Sequence, residues 1–302
     1  DIYMEKVYIF GHRNPDTDSV TAAITLSYLK NRLGMNTVPA VLSSINLESK
    51  FALNYFGVEE PIFLNDVNIK IKDLQYTKNY TVKENDSIYE AYYRMNKAGI
   101  SKIPAIDKDK NLLGILSMKD IAKDQFSFNY SYVNATYDNI CEVIKGKSIL
   151  RFDDNIDGNL LVASYKSTTF IEEINLDKDS ILIVGDRHSI IEYAVNAGIK
   201  LIVIIGNNEI KREHIDIARK NNVNIIITPY NTLETTKIFN LCNNVTTILN
   251  TEKVLCVNEN DSINDFIKLA NKTRYSYYPV LDRKNRCKGI IRLSFLIKRV
   301  LF

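Results

Sequence analysis

Residues 81–98, TVKENDSIYEAYYRMNKA, return 175 positions later as CVNENDSINDFIKLANKT at 256–273. The offset holds without a gap: Pro104 answers Pro279, Asp107 answers Asp282, Gly114 answers Gly289 and Lys123 answers Lys298. Of the 43 pairs from 81 to 123, 14 are identical, so one module occurs twice and each copy is a supersecondary unit. In each, a short strand (Thr81-Val82 in the first) leads into ENDS, where an Asp or Ser caps a helix. Ile88, Ala91, Tyr92 and Met95 follow at the three- and four-residue spacing of one buried helical face. A strand ending in Pro-x-x-Asp, a turn, a strand carrying Gly-Ile and a last helix complete a β-α-β-β-α order.

This module resembles the CBS domain, which pairs in tandem and places adenine nucleotides in clefts between the copies. Gly114-Ile115-Leu116-Ser117-Met118-Lys119-Asp120 matches the family's G-h-h-[ST]-x-x-[DN], which implies that Ser117 holds phosphate and Asp120 the ribose. The second copy reads Gly289-Ile290-Ile291-Arg292-Leu293-Ser294-Phe295, with Phe at the ribose position, so one cleft is chemically complete and the other is not. Ser101 and Lys102, and Arg274 and Ser276, occupy the segments just before each Pro-x-x-Asp, and the resemblance makes them candidates for phosphate contact. Tyr277 or Tyr278 could stack on a base, but strand alternation sends one of the two into the core. The resemblance implies AMP, ADP, ATP or a related adenine nucleotide as regulatory ligand. It also implies a homodimer built on an apolar face that includes Ile88, Tyr92, Ile267 and Leu296. The plainer alternative is a tandem that only dimerises.

Between the copies the pattern changes. Three continuous apolar runs, 181–184, 201–205 and 224–227, each precede a helical segment, the signature of a parallel α/β unit covered on both faces. VGDRHSIIEYAVNAGIKLIVIIGN, within it, resembles the DRTGG domain, found inserted between CBS copies in one group of pyrophosphatases. His188-Ser189 stand where that family's name motif continues Thr-Gly-Gly. His188 and His214 have no neighbouring ligands in sequence and read as ordinary surface or helix residues.

The N-terminal stretch reads as strand 7–10, helix 19–33, strand 37–42 and helix 47–56, the start of a doubly wound parallel sheet with its ligand edge at loop 11–18. That loop, GHRNPDTDS, has two readings. As a turn, Asn14-Pro15-Asp16 is ordinary and Asp18 or Ser19 caps the next helix, which leaves His12 and Asp16 without a role. As a metal site, an imidazole and two carboxylates suit Mn²⁺, Co²⁺ or Mg²⁺. The stretch resembles G-H-x-x-P-D-x-D, the first motif of family II inorganic pyrophosphatases in the DHH superfamily. The resemblance implies that His12, Asp16 and Asp18 bind catalytic Mn²⁺ or Co²⁺, with Mg²⁺ entering with pyrophosphate. That family also uses an Asp-His-Asn segment, a His-His pair and a further basic domain, none of which is written here, as the chain has three histidines and none adjacent. The expectation is a pyrophosphatase truncated after its regulatory insert and inactive alone. A nucleotide-sensing CBS protein without catalysis, or another DHH phosphoesterase such as an exopolyphosphatase, is the alternative.

The expected fold is therefore α/β: an N-terminal DHH-type doubly wound fragment (1–67), CBS copies at 68–125 and 249–302, a linker at 126–139 and a DRTGG-like parallel α/β domain at 140–248. At 302 residues, several compact units are expected. With 39 basic against 36 acidic side chains, the charge balance does not imply a polyanion-binding surface and counts against a nucleic-acid partner, which needs a basic track. No apolar run approaches the ~18–20 residues of a membrane span, and no secretory leader opens the sequence. The four cysteines are scattered without a CxxC pair, as in a cytoplasmic protein with reduced thiols.

Overall fold

A computed structural model describes residues 6–64, 69–127, 131–252, 254–273 and 275–294. The chain forms two compact units, residues 1–69 and 70–302.

In the first unit, β1 (Val7–Ile9), α1 (Thr17–Arg32), β2 (Thr37–Val41), α2 (Leu47–Phe56) and β3 (Ile62–Phe63) alternate, and the strands pair in parallel in the order β1-β2-β3. Its core is small, centred on Val20, Val41 and Leu53. Leu47, Phe51, Tyr55 and Phe56 lie 72–85% exposed. The helix starts earlier than the sequence suggests: Asp16, not Asp18 or Ser19, is its N-cap and accepts from the Ser19 N–H. The turn reading thus does give Asp16 a role.

The second unit opens with β4 (Thr77–Lys78), β5 (Val82–Lys83), α3 (Ile88–Ala98), β6 (Lys102–Ile106), β7 (Leu112–Ser117) and α4 (Met118–Gln125). Capping at Ser87 and the αL Gly99 bracket α3, as ENDS and the following glycine dictate. Ile88, Ala91 and Met95 are buried, whereas Tyr92 is exposed. The expected dimer face therefore loses Ile88 to the core; Leu296 lies outside the described residues.

The insert runs β8 (Tyr132–Thr136), α5 (Tyr137–Val143), β9 (Lys147–Leu150), β10 (Asn155–Val162), α6 (Ser167–Glu173), β11 (Ser180–Val184), α7 (His188–Ala197), β12 (Leu201–Ile204), α8 (Arg212–Lys220), β13 (Asn224–Ile227) and α9 (Thr232–Phe239). Its sheet has the order β8-β10-β11-β12-β13-β9. The four central strands are parallel, with β8 and β9 antiparallel at the edges. Two apolar cores, one around Tyr137 and Phe239 and one around Phe170 and Ile190, cover it. The segment expected to be a linker contains β8, which pairs along β10 from Thr136–Asn155 to Tyr132–Asn159.

The second copy follows as β14 (Val257–Asn258), α10 (Ile263–Thr273), β15 (Tyr277–Leu281) and β16 (Cys287–Arg292). The two copies exchange their lead-in segments. β4, which precedes the first copy, pairs with β16 of the second, while Asn250, which precedes the second copy, bridges to Ile115 of the first. The equivalent glycines Gly114 and Gly289 admit these crossings. A Cβ at Gly114 would lie 2.4 Å from the Asn250 carbonyl, and one at Gly289 would lie 2.1 Å from the Thr77 carbonyl.

Candidate functional site: a cleft between the repeats

Lys102 opens β6 and pairs in register with Ser117, which closes β7. That register carries Ser101, Lys102, Ser117 and the start of α4 to one wall of a cleft of about 390 Å³. The exchanged lead-in supplies Asn250 and Glu252 to the same cleft, and the second copy contributes Tyr275 and Tyr277.

Ser117 is the N-cap of α4 and forms a capping box with Asp120. Asp120 Oδ2 accepts from the Ser117 N–H at 2.9 Å and from its hydroxyl at 2.5 Å, and the Ser117 hydroxyl accepts from the Asp120 N–H at 3.2 Å. Asp120 is thus fixed beside the cleft through Oδ2, and Oδ1 accepts no hydrogen bond from the described residues. Ser101 donates to the Tyr277 hydroxyl at 3.3 Å, and the Arg292 guanidinium lies 5.8 Å from the Tyr277 ring centre. Lys102 and Lys119 line the same cleft as Asp120 and Glu252. Ammonium groups and the free N–H groups at a helix start suit phosphate, and a carboxylate suits a ribose diol because it can accept from both hydroxyls.

A second cleft, of about 330 Å³, is lined by Gln75, Tyr76, Thr77, Ala98, Gly99, Ile100 and Arg292. Under the repeat offset Gln75 answers Asn250, Thr77 answers Glu252, Ile100 answers Tyr275 and Arg292 answers Ser117. The two clefts are the same place in the two copies with different chemistry: this one has Arg292 and no lining carboxylate.

Of the residues named from sequence, the structure brings Ser101, Lys102, Ser117, Asp120 and Tyr277 into the first cleft. Tyr278 lies in the core, its hydroxyl 2.7 Å from Thr273 Oγ1 and its ring edge-on to Phe266 at 5.2 Å. Ser276 is exposed and lines neither cleft. Arg274 lies outside the described residues, as does Phe295. Sequence reasoning missed Tyr275, Asn250 and Glu252; the repeat offset locates the last two only once the lead-in exchange is known.

In the first unit His12, Asp16 and Asp18 line one groove of about 410 Å³ together with Gly11 and Ser19. His12 Nε2 is 3.4 Å from Asp16 Oδ1. The Ser19 N–H is the main influence holding the Asp16 carboxyl below its ordinary range; partial burial opposes it and His12 assists. Among the described residues no group of three or more His, Cys, Asp or Glu side chains is arranged to hold a metal ion, so this donor set fits a divalent ion only in part. In the insert, His188 and His214 are helix residues, as expected, on α7 and α8; His214 is buried and its ring stands 5.8 Å from that of His188. The four cysteines are free thiols, and no helix among the described residues is long and apolar enough to cross a membrane.

Family models match this chain as CBS domains at 71–126 and 245–299 and as a DRTGG domain at 139–242. Over 298 residues the chain is 30% identical to a cobalt-dependent inorganic pyrophosphatase of Clostridium perfringens, covering 96% of this chain and 54% of that protein. It is 24% identical over 305 residues to a probable manganese-dependent inorganic pyrophosphatase of Thermotoga maritima, covering 98% of this chain and 55% of that one. The chain spans about half the length of these curated relatives. Its fold matches, with a TM-score of 0.65 and 24% identity over 74% of this chain and 99% of the other, a crystal structure of the CBS and DRTGG domains of the regulatory region of the Clostridium perfringens pyrophosphatase complexed with the activator diadenosine tetraphosphate.

Proposed function

Because this chain carries CBS and DRTGG domains and is homologous over nearly its whole length to the cobalt- and manganese-dependent inorganic pyrophosphatases, we propose that residues 70–302 are the adenine-nucleotide-sensing block of such an enzyme. The observation that carries the reading is the convergence of Ser101, Lys102, Ser117, Lys119 and Asp120 on one cleft between the repeats. Asp120 accepts from the ribose hydroxyls with the oxygen its cap leaves available. The Ser117 hydroxyl, the first N–H groups of α4 and the two lysines take the phosphates. Tyr275, 48% exposed at the cleft, offers a face for the base, a contact worth roughly 1–3 kcal/mol.

Occupancy reaches the insert along α4. This helix starts at the cleft and ends beside Asp124, whose carboxylate accepts from Asn240 Nδ2 at 2.5 Å. Burial pushes the Asp124 carboxyl above its ordinary range, against the Asn240 hydrogen bond. Calorimetry with AMP on the whole chain tests the site. Lys102→Ala should weaken binding by about 1.5–3 kcal/mol, the range for a charge-assisted hydrogen bond, and Asp120→Ala should weaken it as well. Unchanged affinity in both variants would place the nucleotide elsewhere.

The first unit is read as the start of the catalytic domain of a DHH-type phosphoesterase. His12, Asp16 and Asp18 are its ligands for Mn²⁺ or Co²⁺, ions that activate water and neutralise pyrophosphate charge when bound in a complete site. Since the described donors form only part of such a site, the 302 residues alone should release no appreciable phosphate from pyrophosphate with Mn²⁺ or Co²⁺ and Mg²⁺. Turnover on the order of 1 s⁻¹, within the ordinary enzyme range, would contradict this.

A further inference from the structure

The insert holds a pair of histidines that the nucleotide reading does not use. His188 starts α7 and His214 lies in the first turn of α8; their rings face each other at 5.8 Å with 32° between planes. His214 is 5% exposed. Both of its ring nitrogens, and Nδ1 of His188, are buried without a hydrogen-bond partner. Such groups are costly to leave unpaired.

The third feature is Asp186, whose Oδ1 lies 3.4 Å from His188 Nε2. A carboxylate there favours the proton on Nε2 and leaves the lone pair on buried Nδ1, the arrangement that orients imidazole ligands at metal centres. With metal–nitrogen bonds of about 2.0–2.1 Å, two imidazoles on one tetrahedral ion hold their ring centres roughly 5 Å apart, close to the separation seen here. Glu192 lies one helical turn beyond His188 on the same face of α7.

We propose that His188 Nδ1 and one nitrogen of His214 bind a borderline divalent ion of the zinc class between α7 and α8. Asp186 is the positioning carboxylate, and water completes the coordination. Imidazole pairs select such ions over Mg²⁺ or Ca²⁺. The competing occupant is one buried water bridging the same nitrogens, which needs only polar partners and room. The ion would clamp the two helices that cover one face of the sheet, independently of whether the cleft between the repeats binds nucleotide.

The test is calorimetry with Zn²⁺, and the visible spectrum with Co²⁺, on the full chain carrying His12→Ala to silence the other histidine. The expected result is one ion per chain, with affinity falling at least tenfold in His188→Gln and in His214→Gln. Asp186→Asn should lose about tenfold, as for other groups that orient a ligand. His188 is partly exposed, so His188→Gln stays informative should the buried His214 variant misfold. An absence of stoichiometric binding, or binding untouched by His188→Gln, would overturn the proposal and leave the water. AMP affinity in the same variants should be unchanged, which separates this site from the cleft.

Discussion

Asp282 shows how a single side chain is tied to the fold. It ends the Pro-x-x-Asp of the second copy, where burial disfavours its charge. The Arg286 and Lys284 N–H groups and the Arg286 guanidinium outweigh that cost and hold its carboxyl at about 2. A carboxyl depressed in the folded state stabilises above its unfolded value and loses that contribution as pH falls through the folded one. Stability should therefore decline between the ordinary 3.8 of an aspartate and about 2, and Asp282→Asn should flatten this limb in urea titrations at stepped pH. An unchanged acid limb would show that other carboxylates carry it. The recurrence of Asp107 and Asp282 was legible in sequence, as was the burial of one of Tyr277 and Tyr278; both prove to be buried, and which of the two reaches the cleft was not legible. Asp16 was not: an aspartate before Thr17 and one after it are equally good caps until the loop's path is known.

Among elements, the duplicated parts were the most readable. α3 and α10 follow from capping residues and a three–four apolar spacing, and β11, β12 and β13 from unbroken apolar runs. β8 and β10 were missed because an edge strand and a strand reading NIDGNLLV lack that signal and are held by pairing. The lead-in exchange was equally hidden, since two-residue strands such as β4 and β5 carry almost no pattern. Its trace in the sequence is the pair Gly114 and Gly289. Gly289 has φ +141°, where a side chain is strained, and its added Cβ would meet the Thr77 carbonyl. Gly289→Ala should therefore cost clearly more than the ~1 kcal/mol typical of point mutants and release β4 from β16. Equilibrium denaturation gives the cost, and amide exchange at Lys78 and Asn79 gives the release; wild-type values for both would mean that the crossing does not depend on this glycine.

For the whole molecule, exchange and insertion act together. Each cleft is walled by both repeats, so neither site exists without the partner copy, and the insert sits between the copies in sequence while Asn240 reaches back to Asp124. A ligand that bridges the repeats therefore acts on an arrangement that also holds the insert. The two clefts differ because their equivalent positions diverged, Ser117 and Glu252 in one against Arg292 and Thr77 in the other. The measurement that bears most directly on this is a crystal structure of the chain grown with AMP. Nucleotide should occupy the first cleft, its ribose within hydrogen-bond reach of Asp120 and its phosphate at Ser117 and Lys102. Nucleotide only beside Arg292, or neither cleft occupied at saturating AMP, would contradict the assignment.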